Sequence, residues 1–197
     1  MKYTHLWNGA FVSNIQHLSL NNKALCLEIG CFEGLTTNYI VDNMLSMSGK
    51  LVCVDPLEDT YLVDDLTTTD ILNNKNEWGY FQQQYERFID NTKHNSEKID
   101  LYRERSSTAL PRLLHKYKEA FDFIYVDGDH REHGVYLDGT LSFDLCKQGG
   151  IILFDDYLWA DCHGEQVTKK GIDRFLTEYE DRIQIVINNY QLAIIKK

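Results

Sequence analysis

Four apolar runs of strand length along this chain each deliver carboxylates at their C-terminal end, and that repetition restricts the fold more than any other feature. The first, Ala24 to Leu27, passes into Glu28-Ile29-Gly30-Cys31-Phe32-Glu33-Gly34. It reads as a strand, a glycine turn and the start of a helix, a geometry that offers backbone N–H groups to a ligand. The second, Leu51 to Val54, ends in Asp55, at the distance from the glycines where α/β folds set a carboxylate on ribose hydroxyls. The third, Phe121 to Val126, ends in Asp127-Gly128-Asp129-His130, and the fourth, Gly150 to Phe154, ends in Asp155-Asp156. Open parallel sheets bind ligands beyond the C-terminal ends of their strands, so these acids are expected on one rim.

The glycine spacing departs from the dinucleotide fingerprint, which wants a glycine where Phe32 stands. An acid two residues ahead of Gly30 favours a ligand with a cationic end over a pyrophosphate. A carboxylate at Asp55 suits a vicinal diol because it accepts two hydrogen bonds; a turn-forming Asp ahead of Pro56 is the alternative.

Charge narrows the partners. The 197 residues carry 20 Lys and Arg against 30 Asp and Glu, a formal charge of −10, so neither a nucleic-acid backbone nor an anionic membrane is expected to bind. Cys26, Cys31, Cys53, Cys146 and Cys162 are odd in number and lack a Cys-x-x-Cys pair, which suits a reduced cytoplasm better than a disulfide framework. No apolar stretch is long enough to span a bilayer, and the start leads into no signal-peptide core. The expected location is cytoplasmic.

The chain reads as one domain over residues 1–197. Phe11, Ile15 and Leu18 recur at helical spacing, predicting a cover helix from about Gly9 to Leu20. Strands are expected at Ala24–Ile29, Leu51–Asp55, Ile99–Arg103, Phe121–Val126 and Gly150–Phe154. Helices are expected at Leu35–Leu45, at Thr108–Tyr117, after Asp127 with His130 and His133 upon it, and at Lys170–Tyr179. Leu57 to Lys75, rich in Thr, Asp and Asn, reads as an insertion and a candidate lid, before a helix bearing Trp78, Phe81, Tyr85 and Phe88. Asn188-Asn189 between two apolar runs predicts a terminal antiparallel hairpin, Ile183–Ile187 with Tyr190–Ile195.

This order of motifs resembles the class I S-adenosylmethionine-dependent methyltransferases over nearly the whole chain. The resemblance implies a Rossmann-like seven-stranded α/β sheet with helices on both faces and a C-terminal hairpin. It places Glu28 near the cofactor's amino end, lets Gly30, Cys31, Phe32 and Gly34 approach the methionine part through their backbone, and assigns Asp55 to the ribose. Ser106 and Ser107 fall near the adenine, unless they serve only as a helix N-cap. More narrowly, the chain is similar to metal-dependent O-methyltransferases of the catechol, sugar and macrolide types. By that likeness Asp127, beside the cofactor, joins Asp155 and Asp156 in holding a divalent cation, expected to be Mg²⁺. Where the catechol type has a lysine base, this chain has His130, a residue able to take a proton near neutral pH; Asp129 is the lesser candidate for base or orienting group.

The expected reaction is metal-assisted transfer of a methyl group to a hydroxyl of a small molecule or glycan. Tyr157, Trp159 and His163 are candidates for an acceptor pocket, and the exposed side of the N-terminal helix for pairing two subunits. Rival readings are a nicotinamide-dependent oxidoreductase, a metal-dependent hydrolase or hydroxylase using the same acids, and a cofactor-binding protein without catalysis.

Overall fold

The computed structural model of the protein describes residues 3, 10–58, 83–161 and 163–197. Of the expected lid only Leu57 and Glu58 fall among them; the rest of it lies outside the described residues, as do Trp78, Phe81 and Cys162.

Seven strands form one sheet: β1 (Lys23–Ile29), β2 (Leu45–Val54), β3 (Ile99–Tyr102), β4 (Phe121–Val126), β5 (Cys146–Phe154), β6 (Ile183–Asn188) and β7 (Leu192–Lys196). Their order is β3-β2-β1-β4-β5-β7-β6. The first five are parallel, and β7 lies antiparallel between β5 and β6. This is the expected Rossmann-like methyltransferase sheet with its terminal hairpin. The chain reverses direction across the sheet between β1 and β4, which opens a crevice at their C-terminal ends.

Helices cover both faces, because successive residues of a strand point to opposite sides. Leu27, Ile29, Val52 and Val54 meet residues of α4 (Ser106–Tyr117), α5 (Glu132–Leu145) and α6 (Val167–Glu178), among them Leu110, Phe143 and Phe175. Cys26, Leu51 and Cys53 meet Phe11, Ile40 and Phe88 from α1 (Ala10–Leu18), α2 (Leu35–Asn43) and α3 (Gln84–Thr92). Strands buried on both sides explain the unbroken apolar runs of the sequence.

Several boundaries move. Helix α2 stops at Asn43 and the chain enters β2 at Leu45, well before the expected Leu51. Pairing drives this: the Lys23 N–H bonds the Met44 carbonyl at 2.8 Å, and Lys23 sits opposite Leu45. The register slips between Lys23 and Leu25, where the Asp122 carboxylate accepts the N–H groups of Ala24 (2.9 Å) and Leu25 (3.0 Å). The hairpin turn is residues 189–191 rather than Asn188-Asn189, closed by the Gln191 N–H on Asn189 Oδ1 at 3.0 Å. Arg105 occupies the N-cap of α4 without a side-chain bond, so Ser106 and Ser107 open the first turn and are not its cap.

Candidate active site

The glycine turn after β1 is built by close approach. Gly30 has a left-handed φ of +83°, and a Cβ there would lie 1.9 Å from the Asp127 carbonyl oxygen. No L side chain fits that position, because the ends of β1 and β4 are in direct contact. The Asp127 N–H bonds the Ile29 carbonyl at 2.8 Å. Gly34 has a different reason: its Cβ would lie 2.5 Å from the Thr92 methyl group, so it admits α3 rather than a ligand.

Asp55 holds the turn. Its Oδ2 accepts the N–H groups of Cys31 (2.6 Å) and Phe32 (3.0 Å), and its Oδ1 accepts that of Leu57 (2.7 Å). Burial pushes its pKa up and these main-chain bonds oppose the rise. Between Asp55, Gly30, Ser106 and Gly128 there is a niche of only about 10 Å³.

Glu28 is not where the sequence reading put it. The side chain is wholly buried beneath the turn, where it accepts the Thr37 hydroxyl at 2.6 Å and lies 3.6 Å from the Cys53 sulfur. Burial, the dominant cause, pushes its carboxyl up to about 8. It lines none of the cavity described next.

That cavity, about 260 Å³, has Gly30, Cys31 and Phe32 on one wall and Asp127, Asp155 and Asp156 on another. His130 stands beside two of these acids, its Nε2 3.5 Å from Asp127 Oδ1 and 3.3 Å from Asp156 Oδ2. The imidazole packs on the Trp159 ring at 5.2 Å between centroids. One ligand atom each from Asp127, His130 and Asp156 lies within 4.8 Å of the other two. The group close enough to hold a cation therefore differs from the expected three aspartates. Asp155 is turned toward other partners: it accepts the Tyr125 hydroxyl, the Gln191 amide at 2.9 Å and the Asp156 N–H at 3.0 Å. Burial first, then the charge of Asp155, pushes Asp127 up to about 8, against the pull of its His130 bond. Proton or cation, something positive is favoured there.

Sequence reasoning missed the groups that orient these acids. Tyr190 donates its hydroxyl to Asp156 Oδ1 at 2.7 Å, and Asn14 of α1 donates to Gln191 Oε1 at 2.8 Å, so the hairpin and the cover helix together set Asp155 and Asp156. Tyr125 was accessible, being two residues before Asp127 on the same strand face. The hairpin residues carry no local signal.

Asp129 does not reach the rim. Arg131 binds both its oxygens, at 2.9 and 2.6 Å; burial raises its pKa, but the Arg131 bonds outweigh it and hold the group below its ordinary value. It borders a second cavity, about 380 Å³, with Ser106, Ser107, Arg131, His133 and Asp138. His133 is in α5, which starts at Glu132, while His130 precedes the helix; the two do not share a helix, and His133 borders the second cavity while His130 stands beside Asp127 and Asp156. Asp138, another residue the sequence did not mark, is 1% exposed, and its Oδ2 has no hydrogen-bond partner.

The family model for the methyltransferase domain matches residues 27–157, and the chain belongs to that family. Its fold is that of the class I S-adenosylmethionine-dependent methyltransferases. An O-methyltransferase from Bacillus cereus, solved with S-adenosylhomocysteine, superposes with a TM-score of 0.67 at 16% identity over 98% of this chain and 84% of that one. The O-methyltransferase TomG from Streptomyces achromogenes, solved with S-adenosylmethionine, gives 0.67 at 16% identity over 98% and 83%. Among curated proteins, tapetum-specific methyltransferase 1 of Arabidopsis thaliana is 37% identical over 62 residues, 32% of this chain and 26% of the relative. An uncharacterised protein, R132, of Acanthamoeba polyphaga mimivirus is 25% identical over 131 residues, 66% and 50% respectively. The matches thus span half or less of these curated relatives.

Proposed function

We propose that the protein transfers the methyl group of S-adenosylmethionine to a hydroxyl oxygen of a small molecule or glycan. The observation that carries this reading is that Asp127 and Asp156, with His130 beside both, line a cavity that the glycine turn also lines. The two structural neighbours named above are O-methyltransferases holding this cofactor or its product, which supports the same reading.

The methionine part lies along Gly30, Cys31 and Phe32, Asp55 faces the ribose, and Ser106 borders the adenine end. His130 takes the proton of the attacking hydroxyl, and the Asp127 and Asp156 side chains beside it stabilise the imidazolium that forms. Holding the acceptor oxygen in line with the sulfonium methyl supplies much of the acceleration. Trp159 fixes the imidazole and presents an aromatic face to the acceptor.

The residues also fit a divalent cation. Asp127 and Asp156 supply oxygens suited to Mg²⁺, and Asp155, bound by Tyr125 and Gln191, stiffens the adjoining backbone. Such an ion would lower the pKa of a hydroxyl bound to it. The chain's negative charge, −10, makes nucleic acid a poor acceptor. Among the described residues no helix is long and apolar enough to cross a membrane.

The test is a thermal-shift comparison with S-adenosylhomocysteine and with NAD, each in Mg²⁺ or EDTA. Ligand at about a hundred times its dissociation constant stabilises the native state by about 2.7 kcal/mol. Stabilisation by S-adenosylhomocysteine alone is expected, larger with Mg²⁺; a folded, cofactor-free protein that ignores it would refute the methyltransferase reading.

A further inference from the structure

A second constellation of metal-ligating groups lies beneath the glycine turn, apart from the rim acids. Glu28, Cys31 and Cys53 each bring one ligand atom to within 4.8 Å of the other two, and all three side chains are buried. β1 and β2 pair Glu28 directly with Cys53, and the turn folds Cys31 back so that its sulfur lies 3.8 Å from the Glu28 carbonyl oxygen. Cys53 Sγ lies 3.6 Å from Glu28 Oε2. Tetrahedral zinc, with bonds of about 2.3 Å to sulfur and 2.0 Å to oxygen, sets neighbouring sulfur and oxygen ligands about 3.5 Å apart. The Cys53–Glu28 pair already has that spacing, and Cys31 closes the set within 4.8 Å of both.

An independent observation points the same way. Glu28 Oε1 is fully buried and has no hydrogen-bond partner, an unsatisfied acceptor on the carboxylate whose other oxygen meets Cys53. Nothing in the methyl-transfer reading uses it, since Glu28 lines no part of the cavity.

We infer that Glu28, Cys31 and Cys53 form a binding site for a thiophilic divalent ion of the zinc class. Two sulfurs and one carboxylate are a donor set that favours such an ion over Mg²⁺ or Ca²⁺. Cys31, 4% exposed on the cavity wall, is the point of entry. As the three bonds form, the protons of the two thiols and the carboxyl leave to solvent. The bound ion ties the turn to β1 and β2 and fixes the segment from Gly30 to Phe32.

The experiment is a titration of the metal-free full chain with Co²⁺ as a spectroscopic stand-in for Zn²⁺. Expected are thiolate-to-cobalt charge-transfer and tetrahedral d–d bands that saturate at one ion per chain and are removed by Zn²⁺. Cys31→Ser and Cys53→Ser should each abolish them, Glu28→Gln should weaken the affinity at least about tenfold, and Cys162→Ser should leave them unchanged. Co²⁺ bound by the rim acids and His130 gives no thiolate band, so the two sites are told apart and His130→Ala should not alter the signal. Circular dichroism checks that each variant folds. Absence of a thiolate band in the folded wild-type chain, or a band that survives both Cys31→Ser and Cys53→Ser, overturns the assignment.

Discussion

Asp138 allows a sharp test of the electrostatics behind the second cavity. Its side chain is 1% exposed and one oxygen has no partner. Burial pushes the carboxyl from an ordinary 3.8 up to about 7, against its bond from Ser106. The native state therefore keeps a proton that the unfolded chain releases above pH 4. Stability must fall as pH rises from about 4 to about 7, and above 7 this group adds no further slope. Asp138→Asn is neutral at every pH and copies the protonated form in shape. The variant should match the wild type near pH 4 and gain on it by about 1.4 kcal/mol per pH unit, up to about 4 kcal/mol above neutrality. Urea denaturation of both chains at half-unit intervals from pH 4.5 to 8.5 measures it, since other titrating groups cancel in the difference. Curves that run parallel across that range would show that Asp138 is ionised in the native state and would refute the raised pKa.

Other outcomes follow from the rim and the turn. Gly30→Ala should cost at least about 2 kcal/mol in denaturant titration, through left-handed strain and the collision with the Asp127 carbonyl, and should also weaken S-adenosylhomocysteine binding by calorimetry. His130→Ala should lower methyl transfer about 100- to 10,000-fold while leaving the thermal shift with S-adenosylhomocysteine unchanged; a lost shift would place His130 in cofactor binding. Gln191→Leu removes the amide that Asp155 accepts and the oxygen that Asn14 bonds. It should weaken Mn²⁺ binding about 10- to 100-fold, read by calorimetry, with circular dichroism unchanged.

The strands, their parallel order and the rim acids were legible in the residues, because a strand buried on both faces must be apolar throughout and acids at its end must face solvent or ligand. Gly30 carried its signal as a tight turn after a strand, while Asp55 in the structure holds that turn and the Pro56 corner through the N–H groups of Cys31, Phe32 and Leu57, the turn-forming alternative the sequence offered. The residues misplaced were those whose setting depends on distant segments. Glu28 faces Thr37 and Cys53 because the turn closes over it. Asp129 is taken by Arg131, two residues on, a choice between neighbours that spacing does not rank.

The chain's own periodicity and its acids determined the sheet, the hairpin and the edge along which the acids gather. Only the tertiary structure decided that Asp155 turns to Tyr125 and Gln191 while Asp127, His130 and Asp156 gather, and that Asn14 reaches across the sheet to the hairpin. Backbone pattern is set locally, by which residues avoid water. Side-chain direction at a crowded rim is set by which hydrogen bonds remain available once every neighbouring element has packed.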